Sequence, residues 1–221
     1  MFDSDTINMI IQGIGETLYM TIASSLLAYI LGLPLGVLLV VTDKKGIHPM
    51  PVLNNVIGTI VNFLRSIPFI ILLVSVIPVT RAITGTTIGP TATIVPLVIG
   101  SAPYIARLVE SSLNEVDSGV IEAARSMGAS TLQIVLKVLI PEAKSALILG
   151  GAIGVTTILS YSALAGMTGG GGLGTIAIQY GYYRNETALA WVTVILLVII
   201  VIVFQEIGTR LSRYFDRRIT K

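Results

Sequence analysis

The amino-acid sequence predicts an all-α, polytopic membrane protein with five transmembrane helices, forming a single transmembrane domain over residues 1–221. Three observations lead there. Charged residues make up 12% of the chain and hydrophobic ones 53%, whereas a soluble domain carries about 25% charge. The mean hydropathy is +0.88. Finally, the apolar residues fall into five separate stretches, and about twenty residues of helix are enough to cross a hydrocarbon core of about 30 Å.

The first stretch, residues 18–41, contains Gly32, Pro34 and Gly36 and stops at Asp43, Lys44 and Lys45. Pro34 is expected to bend it, because proline removes a ladder hydrogen bond and crowds the preceding turn. Residues 1–12 begin with Asp3 and Asp5 and lack a cationic start, so no secretory signal is expected. The second stretch, 56–80, holds Arg65, which at mid-bilayer would cost at least ~2.5 kcal/mol. Residues 49–64 are therefore expected to lie along the inner surface as a lead-in, with Arg65 snorkelling or facing the bundle and Pro68 opening the span proper. One long tilted helix is the alternative.

The third stretch, 88–109, places Pro96 and Pro103 on nearly one helix face. Each frees a carbonyl that needs a partner, which makes this span interior rather than lipid-facing. Arg107 and Glu110 close it. The fourth, 147–167, is rich in Gly, Ala and Ser, which lets backbones approach closely. A glycine run and the interfacial aromatics Tyr180, Tyr182 and Tyr183 follow. The fifth, 188–204, is branched and aliphatic and is expected to be the most lipid-facing.

Orientation follows from the basic residues. Arg210, Arg213, Arg217, Arg218 and Lys221 crowd the last positions, and segments 43–64, 107–144 and 210–221 together hold eleven of the 14 Lys and Arg residues. Five spans with that asymmetry put the N-terminus outside and the C-terminus in the cytoplasm. Segment 111–143, between the third and fourth stretches, then becomes cytoplasmic.

That segment has its own logic. Glu122, Ala123 and Ala124 are strong helix formers, and Gly128 is a natural stop. Ser130 or Thr131 can cap a second piece with Gln133 in its first turn. Ile134, Val138 and Leu139 recur at helical spacing, so this piece is expected to lie against the membrane domain until Pro141 ends it. A helix, a break and a second helix would give a partner protein a rigid handle. A mere connecting loop is the bland alternative, but structureless connections are usually shorter.

Glu122-Ala123-Ala124, Gly128, and then Val138-Leu139-Ile140-Pro141 nine residues on resemble the EAA motif of ABC importer permeases. Residues 62–70, 107–110, 125–129 and 169–179, and indeed the whole chain, resemble the methionine-importer permeases of that family, with Val138 at a position where the family pattern has isoleucine. The resemblance implies a type I ABC importer permease fold in the bacterial inner membrane. It implies a homodimer, two ATP-binding subunits that hold the ATP and Mg, and an extracytoplasmic methionine-binding protein or lipoprotein. Glu122, Ala123, Ala124, Arg125, Met127 and Gly128 would then couple to the ATPase, the two polar residues by polar contacts and the others within its groove. Import would proceed by alternating access, with methionine in D or L form, another amino acid or a methionine derivative as cargo.

Several chemistries are excluded or disfavoured. The carboxylates Glu110, Glu115, Asp117 and Glu122 do not pair on one helix face. One histidine, His48, and no cysteine leave no metal cluster and no histidine-based triad. No phosphate-binding Gly-x-x-x-x-Gly-Lys-Ser/Thr run occurs, so no cofactor is expected on this chain. Basic residues after a final span mark a membrane surface rather than nucleic acid. Gly169, Gly170, Gly171, Gly172 and Gly174 are expected to form a close-packed turn that shapes an outer gate, or else a flexible loop. Ser101, Tyr104, Ser160, Tyr161 and Ser162 are candidates for the translocation path. An intramembrane enzyme using Arg107 or Glu110 and a channel are the rival classes.

Overall fold

The computed structural model describes residues 3–216 and is all-helical over that range. Eleven α-helices are labelled in chain order. α1 covers Ser4–Thr42, α2 Pro51–Ser66, α3 Phe69–Ser75, α4 Ile77–Thr84 and α5 Pro90–Leu113. α6 covers Ser118–Ser126, α7 Thr131–Ile134, α8 Ile140–Glu142, α9 Lys144–Ala165, α10 Gly172–Ile176 and α11 Thr187–Phe215. Two wider π turns, Val135–Leu139 and Ala177–Tyr182, and a 3-10 turn, Gly166–Thr168, complete the path. Four helices, α1, α5, α9 (with its 3-10 turn) and α11, are long and apolar enough to cross a membrane; α2 and α3 pass the same test together as a bent pair, which makes five spans when that pair is counted as one.

The contacts fall into two compact units. One takes residues up to Ala28, Ile67–Ser101 and Val155–Gln205; the other takes Tyr29–Ser66, Ala102–Gly154 and Glu206 onward. In the first, Met20, Phe69, Leu73, Leu97 and Ala165 form one buried cluster, with Tyr161 packed on it. Leu173, Ile176 and Leu189 form another. In the second, α1 meets α5 through glycines: a Cβ on Gly32 would lie 2.8 Å from the Ala102 carbonyl oxygen, and one on Gly36 2.6 Å from that of Ala106. Small residues here let two backbones come within packing distance.

The boundaries differ from expectation in four places. α1 starts at Ser4, long before residue 18, and its 39 residues make it about 58 Å long at 1.5 Å per residue. Asn8, Gln12, Glu16 and Thr17 dilute the hydropathy of these first turns without weakening the helix. Asp3 accepts a hydrogen bond from the Thr6 amide at 2.9 Å, and bonding from Thr6 holds its carboxyl below the ordinary value. At Ile67 and Pro68 the chain turns by 101°, so the single long tilted helix is excluded and the lead-in ends where proline restricts the residue before it. The span beyond is itself broken at Val76 and runs past residue 80 to Thr84, ending at Gly85 with φ 75°.

Third, Pro141 does not stop the elbow. The π turn Val135–Leu139 precedes it, and helix resumes at once through α8 and α9. The wider turn makes room for the proline ring that a tight helix would reject. It also shifts the buried face, so that Ile134, Val135 and Leu139 are buried and Val138 is only half-buried. Fourth, α11 continues beyond 204 to Phe215 and carries Arg210 and Arg213 as helical residues; Arg217, Arg218 and Lys221 lie outside the described residues. The interior third span and the lipid-facing fifth match expectation. Pro96 and Pro103 are buried inside an unbroken α5, and only 11% of the most apolar window of α11 is buried, against 61% for α5.

Candidate functional site: an exposed elbow and a glycine turn

The elbow is two short helices joined by a tight reversal. Asp117 opens α6 by accepting from the Gly119 amide at 2.6 Å. At the other end the Ala129 amide reaches the Ala124 carbonyl and the Gly128 amide that of Arg125, at 3.1 and 3.0 Å. Gly128 stands between them at φ +79°. This is a Schellman closure, which needs a left-handed residue. Ser130 and Gln133 then form a reciprocal capping box for α7.

Burial divides the elbow into two faces. Ile134, Val135 and Leu139 point inward. Met127 is 81% exposed and Leu132 67%, with Val120 and Leu136 also open. Glu122, Ala123 and Gly128 lie on the exposed side. Ala124 does not: it is 5% exposed, its small side chain seating α6 on its own protein. Arg125, expected to contact a partner, is exposed and hydrogen-bonds the Ile47 carbonyl in the loop between α1 and α2, so one guanidinium nitrogen anchors the elbow. His48, next in that loop, is exposed.

The glycine turn is the opposite kind of structure. Each amide from Gly169 to Leu173 has an acceptor. Gly169 and Gly170 bond to the carbonyls of Gly166 and Ala165. Gly171 donates to Thr175 Oγ1 at 2.9 Å, Gly172 to Glu16 Oε2 at 2.6 Å and Leu173 to Thr17 Oγ1 at 2.9 Å. The amide of Gly89, just before α5, and the hydroxyl of Thr93 within it bond to the carbonyls of Gly169 and Gly170. A Cβ at Gly166 or Gly174 would strike backbone across the turn. With its amides committed to the chain's own acceptors, the turn offers no anion cradle, and it is a knot rather than a flexible loop. Glu16, Thr17 and Thr93 were not singled out from sequence. Their signal was polarity inside apolar stretches, and the first two lay upstream of the expected start of the span.

The model of the family described as binding-protein-dependent transport system inner membrane component matches residues 28–221. The chain belongs to that family. This permease is 47% identical over 211 residues to the probable D-methionine transport system permease protein MetI of Vibrio cholerae, covering 96% of this chain and 94% of the relative. It is 46% identical over 203 residues to the methionine import system permease protein MetP of Bacillus subtilis, covering 92% and 91%. Its fold matches a solved structure, described as inward-facing conformations of the MetNI methionine ABC transporter, with a TM-score of 0.96 and 46% identity over 98% of this chain and 100% of that one. The all-α importer-permease fold is thus the one observed, and the chain is a transport subunit, not an enzyme.

Within the permease, the candidate path residues are dispersed. Ser101 is fully buried, and its hydroxyl has no hydrogen-bond partner. Tyr104 is half-buried, with the Arg65 guanidinium 5.9 Å from its ring centre. Three consecutive residues of α9 point three ways. Ser160 is exposed and donates to its own Thr156 carbonyl, Tyr161 stacks on Phe69 at 4.3 Å, and buried Ser162 donates to the Leu159 carbonyl. Arg107 pairs with Glu110 at 2.5 Å and reaches Asn62 Oδ1 and the Gly58 carbonyl on α2 at 2.8 and 3.3 Å. Those contacts give Arg107 and Glu110 a structural use, tying α5 to α2, in place of the catalytic one. Among the described residues no group of three or more potential ligands could hold a metal ion.

Proposed function

We propose that the chain is the membrane subunit of an ATP-driven importer that carries methionine inward by alternating access. The observation that carries this reading is the match to the methionine ABC transporter structure, at a TM-score of 0.96 over 98% of the chain. The names of the two curated relatives point to the same cargo. Two copies pair in the bacterial inner membrane with the N-terminus outside. Two ATP-binding subunits, which hold ATP and Mg, grip the elbow, and an extracytoplasmic methionine-binding protein or lipoprotein delivers the cargo.

Support for the grip comes from the exposed apolar face of the elbow. A membrane protein gains nothing by presenting Met127 and Leu132 to water unless a partner covers them. Glu122, Ala123, Arg125, Met127 and Gly128 form the contact zone, with Arg125 acting from its anchor on Ile47. Nucleotide binding draws the paired elbows together and opens the spans outward; hydrolysis resets them. The turn formed by Gly169, Gly170, Gly171, Gly172 and Gly174 shapes the outer gate, and Ser101, Tyr104, Ser160, Tyr161 and Ser162 are the residues to test along the path.

The test is uptake in proteoliposomes holding permease, ATPase and binding protein. Labelled methionine accumulates only with ATP, and unlabelled methionine competes where cystine does not. Equal competition by cystine would transfer the cargo to a broader amino-acid class. Because the chain has no cysteine, a Glu122→Cys variant carries a lone thiol. A membrane-impermeant maleimide should reach it only from the cytoplasmic side, and labelling from outside would remove the grip from the ATPase.

A further inference from the structure

A cavity of about 570 Å³ lies at the roots of the elbow, bounded by the end of α5, the start of α9 and the end of α11. Both arms of the elbow reach it: Glu115 and Val116 line it where the chain leaves α5, and Pro141 and Glu142 where it enters α9. Ser145 and Ser212, bonded hydroxyl to hydroxyl at 3.0 Å, join α9 to α11 in its wall. Leu149 and Ile153 carry the wall along α9, and both are more than two-fifths exposed. The cavity therefore opens along a helix apolar enough to sit in a bilayer.

Its rim holds both signs of charge, with Asp216 lining it beside the three groups that matter here. Glu115, Glu142 and Arg213 all line the cavity, and all are exposed. The ion pairs of Arg107 with Glu110 and of Arg210 with Glu206 use none of these three groups. Lys144 is engaged by the wall itself, its ammonium 3.3 Å from the centre of the ring of Phe215, a lining residue. A guest with a hydrogen-bonding cation, an anion and an apolar tail would match Glu115 and Glu142, Arg213, and the wall of Leu149 and Ile153 respectively. A free amino acid has the charges but is too small to fill the space, since cavities of this size enclose much larger ligands.

We propose that this cavity binds a zwitterionic phospholipid with a primary-amine headgroup. The ammonium is held by Glu115 and Glu142 and the phosphate by Arg213, with an acyl chain along Leu149 and Ile153. Such a lipid braces both arms of the elbow, so its occupancy sets how stiffly the elbow follows the ATPase. That consequence, and the inner-leaflet location, rest on the function proposed above; the binding itself does not.

The test is native mass spectrometry of the purified permease–ATPase complex exchanged into phosphatidylethanolamine, phosphatidylcholine or phosphatidylglycerol of matched chains. Phosphatidylethanolamine should be retained about tenfold over phosphatidylglycerol, with phosphatidylcholine between them because its quaternary ammonium donates no hydrogen bond. Glu115→Gln with Glu142→Gln should abolish the preference for ethanolamine over choline, and Arg213→Gln should weaken all three, while Arg210→Gln, outside the cavity lining, leaves the order intact. Thermal melting of each variant complex separates lost binding from lost folding. Equal retention of the three lipids, a preference untouched by the variants, or displacement by inorganic phosphate or free methionine would overturn the proposal. A complex that binds the lipid but transports without coupling to the elbow would sink the function reading and leave the site standing.

Discussion

The elbow and the glycine turn both depend on glycines at positive φ, yet they use them for different ends. At Gly128, φ is +79° and a Cβ would meet nothing within 4 Å. At Gly166 and Gly174, φ is ordinary, and a Cβ would meet the backbone of the opposite strand of the turn. One region needs glycine for a conformation and is open around it. The other has positive φ at Gly169, Gly171 and Gly172 but needs glycine for space as well, and is closed. The elbow keeps Met127 and Leu132 outward and is anchored by few bonds, whereas the turn spends its amides internally.

The largest expected effect comes from filling the closed region. Gly174→Val puts a branched side chain against the Ala163 backbone, and overpacking of this kind costs about 3 kcal/mol, more where backbone cannot move. The variant should lose most of its folded yield in detergent, with a clearly lower Tm. A wild-type melting curve would mean that the turn yields easily and that the two regions are alike.

Next is the open region's most exposed apolar group. Met127→Asp should leave the Tm of the isolated permease unchanged, because the side chain is 81% exposed. Association with the ATPase should fall roughly thirtyfold, the loss typical of a central hot-spot residue at about 2 kcal/mol. Full co-purification with the ATPase would show that the exposed face is not the docking face. Glu16→Ala comes third. It strands the Gly172 amide, whose bond to Glu16 is 2.6 Å, and an unsatisfied buried donor costs about 1–3 kcal/mol. Glu16→Gln keeps an acceptor and should recover most of the Tm. Equal loss in both variants would assign the effect to charge rather than to the amide.

The fold class, the five spans and the elbow's helix, glycine and capped second helix were legible because each rests on local pattern: apolar length, left-handed glycine, and Ser130 with Gln133. Partnership across the chain was not legible. Nothing near Glu16 in sequence says that its carboxylate holds Gly172, 156 positions on, and nothing near Arg125 names Ile47, 78 positions back. The π turn at Val135–Leu139 was missed for a related reason. Pro141 reads as a stop when helices are assumed to keep one pitch, and the wider turn absorbs it. Ala124 shows the limit of motif reading: membership in the Glu-Ala-Ala run did not reveal which alanine faces in.

The smallest expected effect is the sharpest test of the contrast between conformation and space. Gly128→Ala meets no steric obstacle, so its whole penalty is the left-handed backbone, about 1–2 kcal/mol for a residue with a Cβ. Gly128→Asn should cost less, because asparagine enters that region more readily. The loss should appear as faster hydrogen exchange confined to the amides of Gly128 and Ala129, which close α6, with the global Tm nearly constant. ATPase affinity should follow the same order, glycine above asparagine above alanine. If alanine and asparagine are equally damaging, the position is limited by a partner's surface pressing on Gly128 rather than by its φ, and the glycine of the open region would then be serving space after all, in the assembled complex.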